Sequence, residues 1–227
     1  MTEGRGRIVG VLGGTGPQGG GLALRWAVAG LRVVIGSREA ARAEKRAREL
    51  AQRAGLGAGA DVLSGTDNAG CAQRADIVMV TVPWEGHDAL LMSLREPLAG
   101  KIVVDCVNPL GFDERGPYPL PVAEGSAAQR AAALLPDSQV IAAFHHVSAV
   151  LLADLSITEV DCDVLVLGDD RAAVDQVRVL ADAIPGVRGV YGGRLRNAGQ
   201  VEALTANLIA VNRRYRTHAG IRVTGLP

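Results

Sequence analysis

Lysine is almost missing from this chain: of its 24 basic side chains only Lys45 and Lys101 are lysines, and all the others are arginines. A catalytic amine, whether a proton donor or a Schiff-base former, therefore has few candidates, and none follows Lys101. Net charge is missing too, since 24 basic groups face 24 acidic ones. No general field draws the chain to nucleic acid or to an anionic membrane surface. No apolar run approaches the roughly 20 residues that cross a bilayer, and the opening "MTEGRGR" leads into a strand with no signal-peptide core. The expectation is a cytoplasmic protein. Cys71, Cys106 and Cys162 are odd in number, far apart and free of any C-x-x-C pairing, which argues against a disulfide framework or a zinc site. They are expected to be buried thiols. Motifs such as H-E-x-x-H or G-x-S-x-G are lacking, so neither a metal nor a nucleophile is indicated.

What is present is a regular alternation. Apolar, β-branched runs at "RIVGVLG", "LRVVIG", "ADIVMVTVP" and "KIVVDCVNP" carry the mark of parallel strands buried on both faces. Between them "QGGGLALRWAVAG", "REAARAEKRARELAQRAG" and "GHDALLMSLREPLAG" have helical spacing and composition. This predicts an α/β fold of the Rossmann type, a doubly wound and mainly parallel sheet with a small C-terminal α/β addition. After Pro109, "LGFDERGPYPLPVAEGS" reads as a long irregular surface loop, and loops of that length are often functional. A helix at "SAAQRAAALLP", strands at "SQVIAAF" and "CDVLVLG", a helix at "DRAAVDQVRVLADAI" and an unusually long last helix in "NAGQVEALTANLIAVNRRYRTHAG" complete the reading. The expected division is a nucleotide-binding domain over residues 1–145 and a small region over 146–227 that closes over it.

The chemistry begins at Gly14-Thr15-Gly16-Pro17-Gln18-Gly19, a full G-x-G-x-x-G at a strand-to-helix turn. Its glycines serve a tight turn, close approach to a pyrophosphate and helix–strand packing, and the helix start offers free amides to the phosphates. Such a motif is weak alone and strong between a strand and a helix. At the tip of the next strand, where an NAD site keeps a carboxylate, this chain has Ser37 and Arg38, with Arg42 four residues further. A hydroxyl and guanidiniums there fit the 2′-phosphate of NADP(H), which an acid would repel. Thr15 offers a second hydroxyl. Further along the same edge lie Val82, Pro83 and Trp84, the last equally readable as a core or interface aromatic. Asn108 and Pro109 follow one strand on, where the proline bend exposes backbone to the nicotinamide.

Taken together, "GGTGPQGGGLALR", "VVIGSREAAR", "ADIVMVTVPWE", "VVDCVNPL", "AFHHVSA" and "NAGQVEALT" resemble the family of NADPH-dependent coenzyme F(420) reductases, over nearly the whole chain. The resemblance implies a reversible, direct hydride transfer between the nicotinamide C4 and the deazaflavin C5, with no catalytic side chain. It implies nucleotide contacts from Gly14, Thr15, Gly16, Pro17, Gln18, Ser37, Arg38, Arg42, Val82, Pro83, Asn108 and Ala149. Deazaflavin contacts are implied at Pro109, His145 and Thr205, and the assembly implied is a homodimer. The scarcity of proton donors agrees, because hydride exchange between two cofactors needs orientation and exclusion of water. Two other readings stand beside it. One is an NADP-dependent reductase of a small hydroxy acid or imine, with Asp154, Glu159 and Tyr191 as possible donors. The other is a non-catalytic NADP-binding sensor. The "NRRYR" run, Asn212 to Arg216, suits either the acidic tail of a deazaflavin or a solvated or dimer-facing helix end.

Overall fold

A computed structural model describes residues 6–57 and 62–226. In chain order it contains β1 (Ile8–Leu12), α1 (Pro17–Val28), β2 (Arg32–Ser37), α2 (Ala40–Arg53), β3 (Leu63–Asp67), α3 (Asn68–Arg74) and β4 (Ile77–Val80). A short 3-10 turn (Trp84–Gly86) leads to α4 (His87–Ser93), α5 (Arg95–Leu98), β5 (Ile102–Asp105), β6 (Leu110–Asp113), β7 (Gly116–Pro119), α6 (Ala127–Leu134) and β8 (Gln139–Ala142). Then come α7 (Ala149–Ala153), β9 (Cys162–Gly168), α8 (Arg171–Asp182), β10 (Val187–Gly193), a second 3-10 turn (Leu195–Asn197) and α9 (Ala198–Tyr215).

Eight strands form one sheet in the order β10-β9-β8-β5-β4-β1-β2-β3. All neighbours are parallel except β8 and β9, so β9 and β10 run against the rest. The expected Rossmann-type sheet with a C-terminal α/β addition is what the chain forms, and the addition extends the same sheet. The continuous apolar runs of the central strands follow from cover on both sides. In β4, Ile77 and Met79 join the cluster containing Trp26 and Phe144, while Val78 and Val80 join the opposite cluster with Leu91 and Ala131.

The sheet order places the topological switch point between β1 and β4. From β1 the chain winds outward through β2 and β3, then returns across to β4 on the other side. Ligands of open α/β sheets lie beyond the carboxyl ends of strands at such a point.

Three features depart from the sequence reading. The stretch after Pro109 is no irregular loop: β6 and β7 pair antiparallel, with Asp113 opposite Gly116 at the turn. Asp113 Oδ1 accepts from the amides of Arg115 and Gly116, and Gly116 has a φ of 119° that other residues avoid. The helix expected across "GHDALLMSLREPLAG" breaks at Leu94, since Pro97 has no N–H for the ladder and α5 starts afresh. Strands β3 and β10 escaped notice because "LSGTD" and "VRGVYGG" mix glycine and polar residues with too few apolar ones. The long final helix does form, and it ends at Arg216 in a left-handed conformation, φ 52°.

Candidate cofactor site

The phosphate loop joins β1 to α1 at the switch point. Gly13, one residue before the expected motif, makes the tight turn with φ 75°, and a Cβ there would stand 2.7 Å from Thr81 O and 2.9 Å from Val82 Cγ1. A Cβ on Gly19 would fall 2.3 Å from Thr81 Oγ1, a hydroxyl that donates to Leu12 O at 2.7 Å. These contacts lock α1 and the end of β4 around the loop and set Val82 against Gly13. Gly16 precedes α1 without any side-chain cap, and Pro17 opens the helix. The amides of the first turn are thus left to a ligand rather than to a neighbouring side chain.

Ser37 ends β2 and is buried, with its Oγ 3.5 Å from the Glu39 amide. Arg38 and Arg42 are exposed, and the ion pairs on α2 are made by others, Arg46 with Glu49 and Arg48 with Glu44. Thr15 and Arg42 come together: with Lys45, Arg46 and Glu49 they line a cavity of about 250 Å³. Lys45 and Arg46 are not among the residues the sequence assigned to this site, although they lie three and four positions past Arg42, one helical turn on.

The other wall is assembled from distant segments. Asn108 Nδ2 donates to His145 O at 3.0 Å, and Thr205 Oγ1 of α9 lies 3.5 Å from the same oxygen. Three of the expected residues therefore meet at one carbonyl. His145 is buried, and among the described residues neither of its ring nitrogens has a hydrogen-bond partner, nor does Asn108 Oδ1. Burial, with His146 adding a smaller effect, pushes the His145 imidazole down to about 3, so it stands neutral. The preceding residue, Phe144, holds a φ of 65° and packs edge-on against Trp26 at 5.6 Å. A non-glycine residue in that region marks a backbone fixed by its surroundings. Gln18 ties the two walls together, its Nε2 donating to Phe144 O at 3.3 Å.

Pro109 is buried at the foot of the β6–β7 hairpin, where its carbonyl accepts from the Leu120 amide at 2.9 Å. Pro83 leads into the 3-10 turn of Trp84, whose ring lies over His87 at 5.2 Å between centroids. Ala149 opens α7, and its carbonyl lies 3.5 Å from where a Cβ on Gly21 would stand, so it meets α1 rather than the phosphate loop. Arg213, Arg214 and Arg216 are all exposed, and Arg213 Nη1 lies 3.7 Å from the corresponding point on Gly116 of the hairpin.

A buried ionic chain below this edge was not foreseen. His87 Nε2 and Asp105 Oδ2, both fully buried, are 2.6 Å apart, and Asp105 Oδ1 accepts from the Val107 amide at 3.0 Å. Burial lowers the His87 pKa, but Asp105 and then Asp88 more than offset it, and the net shift is upward. Arg130 grips Asp88 through Nε and Nη2 at 3.0 and 2.8 Å. Nearby, Glu202 of α9 accepts from the amides of Ala127 and Ala128 at the start of α6, and its carboxyl is raised to about 7, mostly by burial. Asp105 so anchors the turn that carries Asn108 and Pro109, and Glu202 anchors the helix that carries Thr205. The aspartate inside "VVDCVNPL" was the available signal, because an acid ending a buried strand demands a partner.

The residues fit a dinucleotide. Uncapped helix amides, a glycine turn packed against Thr81, and a cavity lined by Thr15 and the α2 cations suit its phosphates, while bare buried polar atoms on His145 and Asn108 suit a polar ring edge. Among the described residues no group of three or more His, Cys, Asp or Glu is placed to hold a metal.

Fold and site define a Rossmann-type dinucleotide-binding protein with a second, tertiary wall facing the cofactor edge. Its relatives narrow this further. The model of the family described as "NADP oxidoreductase coenzyme F420-dependent" matches residues 8–109. The F420-dependent NADP reductase of Methanothermobacter marburgensis is 41% identical over 227 residues, covering 96% of this chain and 99% of the relative. That of Methanothermobacter thermautotrophicus is 42% identical over 225 residues, covering 96% and 95%. The crystal structure of a putative F420-dependent NADP reductase from Arthrobacter sp. FB24 superposes with a TM-score of 0.79 at 26% identity, covering 96% of this chain and 99% of that one. The chain belongs to the family of F420-dependent NADP reductases.

Proposed function

We propose that this chain is an oxidoreductase that transfers a hydride directly and reversibly between NADP(H) and coenzyme F(420): NADPH, oxidised F(420) and a proton give NADP+ and reduced F(420). The observation that carries the reading is the convergence of Asn108 and Thr205 on the His145 carbonyl, which leaves bare polar atoms on a wall tied to the phosphate loop through Gln18. The two cofactors supply the hydride donor and acceptor, so the protein's part is to bind, orient and exclude water.

In this reading the loop from Thr15 to Gln18 holds the pyrophosphate, with donors from the Thr15 and Gln18 amides because Pro17 has no N–H and the Gly16 amide donates to Gly13 O at 2.9 Å, and Ser37, Arg38 and Arg42 hold the 2′-phosphate. Val82, Pro83 and Asn108 border the nicotinamide, with Ala149 closing the α1 side. Pro109, His145 and Thr205 border the deazaflavin. A neutral His145 donates or accepts one hydrogen bond to a ring without adding charge. Residues 1–145 act as the NADP-binding domain, and 146–227 complete the deazaflavin pocket.

Among the described residues no helix is long and apolar enough to cross a membrane. On the family resemblance we place the protein in the cytoplasm as a homodimer, to be checked by cell fractionation and by sedimentation. The test of function is direct. Mixed with NADPH and oxidised F(420), the protein should bleach the visible absorbance of the deazaflavin, and no bleaching at any ratio of the two would refute the reading.

A further inference from the structure

Arg46 has no part in the roles above, yet its surroundings are those of a group short of acceptors. It stands one helical turn beyond Arg42. Its Nη1 meets Glu49 Oε2 at 3.3 Å, its Nη2 is 3.0 Å from where a Cβ on Gly20 would stand, and its Nε is buried without a hydrogen-bond partner. The side chain is 27% exposed and lies between α2 and the first turns of α1, whereas Glu49 is 47% exposed. Together with Thr15, Arg42 and Lys45 they enclose the cavity of about 250 Å³. That cavity lies between Thr15 of the phosphate loop and α2, the helix that follows β2 and carries Arg42, and in this fold the loop after β2 meets the adenosine ribose.

An isolated i,i+3 ion pair on a helix surface contributes little, and a buried guanidinium nitrogen left unmet destabilises. A phosphate monoester offers what the site lacks, several strong acceptor oxygens matched to a planar fork. We propose that Arg46 is a further cation of the 2′-phosphate subsite and that Glu49 is its internal competitor. In the cofactor-free protein the Glu49 carboxylate neutralises Arg46, and a 2′-phosphate displaces it. A nucleotide without that phosphate brings no anion to displace the carboxylate, so Glu49 lowers affinity for the 2′-phosphorylated nucleotide alone and moderates the selectivity that Arg46 confers. This rests on the NADP(H) reading and is independent of the deazaflavin.

The test measures binding of adenosine 2′,5′-bisphosphate and of 5′-AMP to the full chain by calorimetry. Arg46→Met keeps the packing against α1 and removes the charge. It should weaken the bisphosphate about tenfold and leave 5′-AMP within about twofold. Glu49→Gln should strengthen the bisphosphate about threefold, again sparing 5′-AMP. Arg46→Lys, which retains charge but loses the fork, should fall between wild type and Arg46→Met. Equal weakening of both nucleotides by Arg46→Met would show that the side chain only packs on α1. Unchanged bisphosphate affinity in Glu49→Gln would show that the carboxylate does not compete. If the wild type itself binds both nucleotides equally, the NADP(H) reading fails. If it prefers the bisphosphate while the variants do not respond, only the present proposal fails.

Discussion

The two walls of the proposed cofactor site are made differently. The phosphate wall is local: it uses backbone amides, the left-handed turn at Gly13 and side chains from consecutive stretches of β1, α1, β2 and α2. The ring wall is tertiary, and its central carbonyl on His145 is reached by Asn108 from 37 residues away and by Thr205 from 60. Local walls can be read and broken one residue at a time, with electrostatic effects on affinity. A tertiary wall acts through geometry, so damage to it should appear in alignment of the rings while nucleotide binding survives.

The largest effect should come from breaking the local wall at its turn. Gly13→Val puts a Cβ 2.7 Å from Thr81 O at a positive φ. NADPH affinity measured by fluorescence titration should fall roughly a hundredfold or more. Turnover lost with binding intact would erase the distinction between the walls. Next, Arg38→Ala or Arg42→Ala should each weaken NADPH about thirtyfold and NADH no more than about twofold, since one charge-assisted contact contributes on the order of 2 kcal/mol. Equal losses for the two nucleotides would remove both arginines from the 2′-phosphate.

The ring wall should also declare itself in acid. His145 has its folded-state pKa depressed from 6.5 to about 3, so below pH 6.5 the unfolded chain takes up a proton that the folded chain refuses. The His145 contribution to stability should therefore rise with pH from about 3 to about 6.5 and be lost as pH falls through that window, while Glu202, raised to about 7, contributes with the opposite sign. Buried His146, shifted the same way as His145, adds to this limb. In His145→Gln the acid limb of a denaturation series should flatten by up to about 1.4 kcal/mol per pH unit, and an unchanged slope would mean that the imidazole is not buried neutral. A smaller effect is expected on catalysis, where His145→Ala should lower turnover about tenfold and leave NADPH affinity unchanged. Complete inactivity would give the imidazole a proton-transfer role. The smallest concerns sulfur: Cys71, Cys106 and Cys162 are all buried and free, so alkylation of the native protein should leave activity intact.

The local wall is proposed largely from the chain itself. G-x-G-x-x-G names its own backbone task, and a serine–arginine pair at a strand tip reads by charge alone. The turn itself nevertheless fell one residue earlier, at Gly13, because adjacent glycines do not tell which takes the left-handed conformation. The ring wall was legible only through resemblance. Nothing local in "AFHHVSA" says that His145 lends its carbonyl to Asn108 and Thr205, or that Phe144 takes a left-handed turn. The aspartate in "VVDCVNPL" signals that Asp105 needs a partner, but that the partner is His87, and that Glu202 caps α6, follows only from packing. The β6–β7 hairpin was hidden by its prolines, Pro117 and Pro119, which mark irregular chain more often than a strand.

Both walls are expected to serve one direct transfer, and a labelled hydride tests this without touching the protein. NADPH carrying deuterium on one C4 face is mixed with the wild-type protein and oxidised F(420) in ordinary water for a single turnover. Deuterium from one face only should be recovered at C5 of the deazaflavin, with none released to water. Label lost to solvent, or retained on the nicotinamide from both faces while the deazaflavin is reduced, would contradict the account.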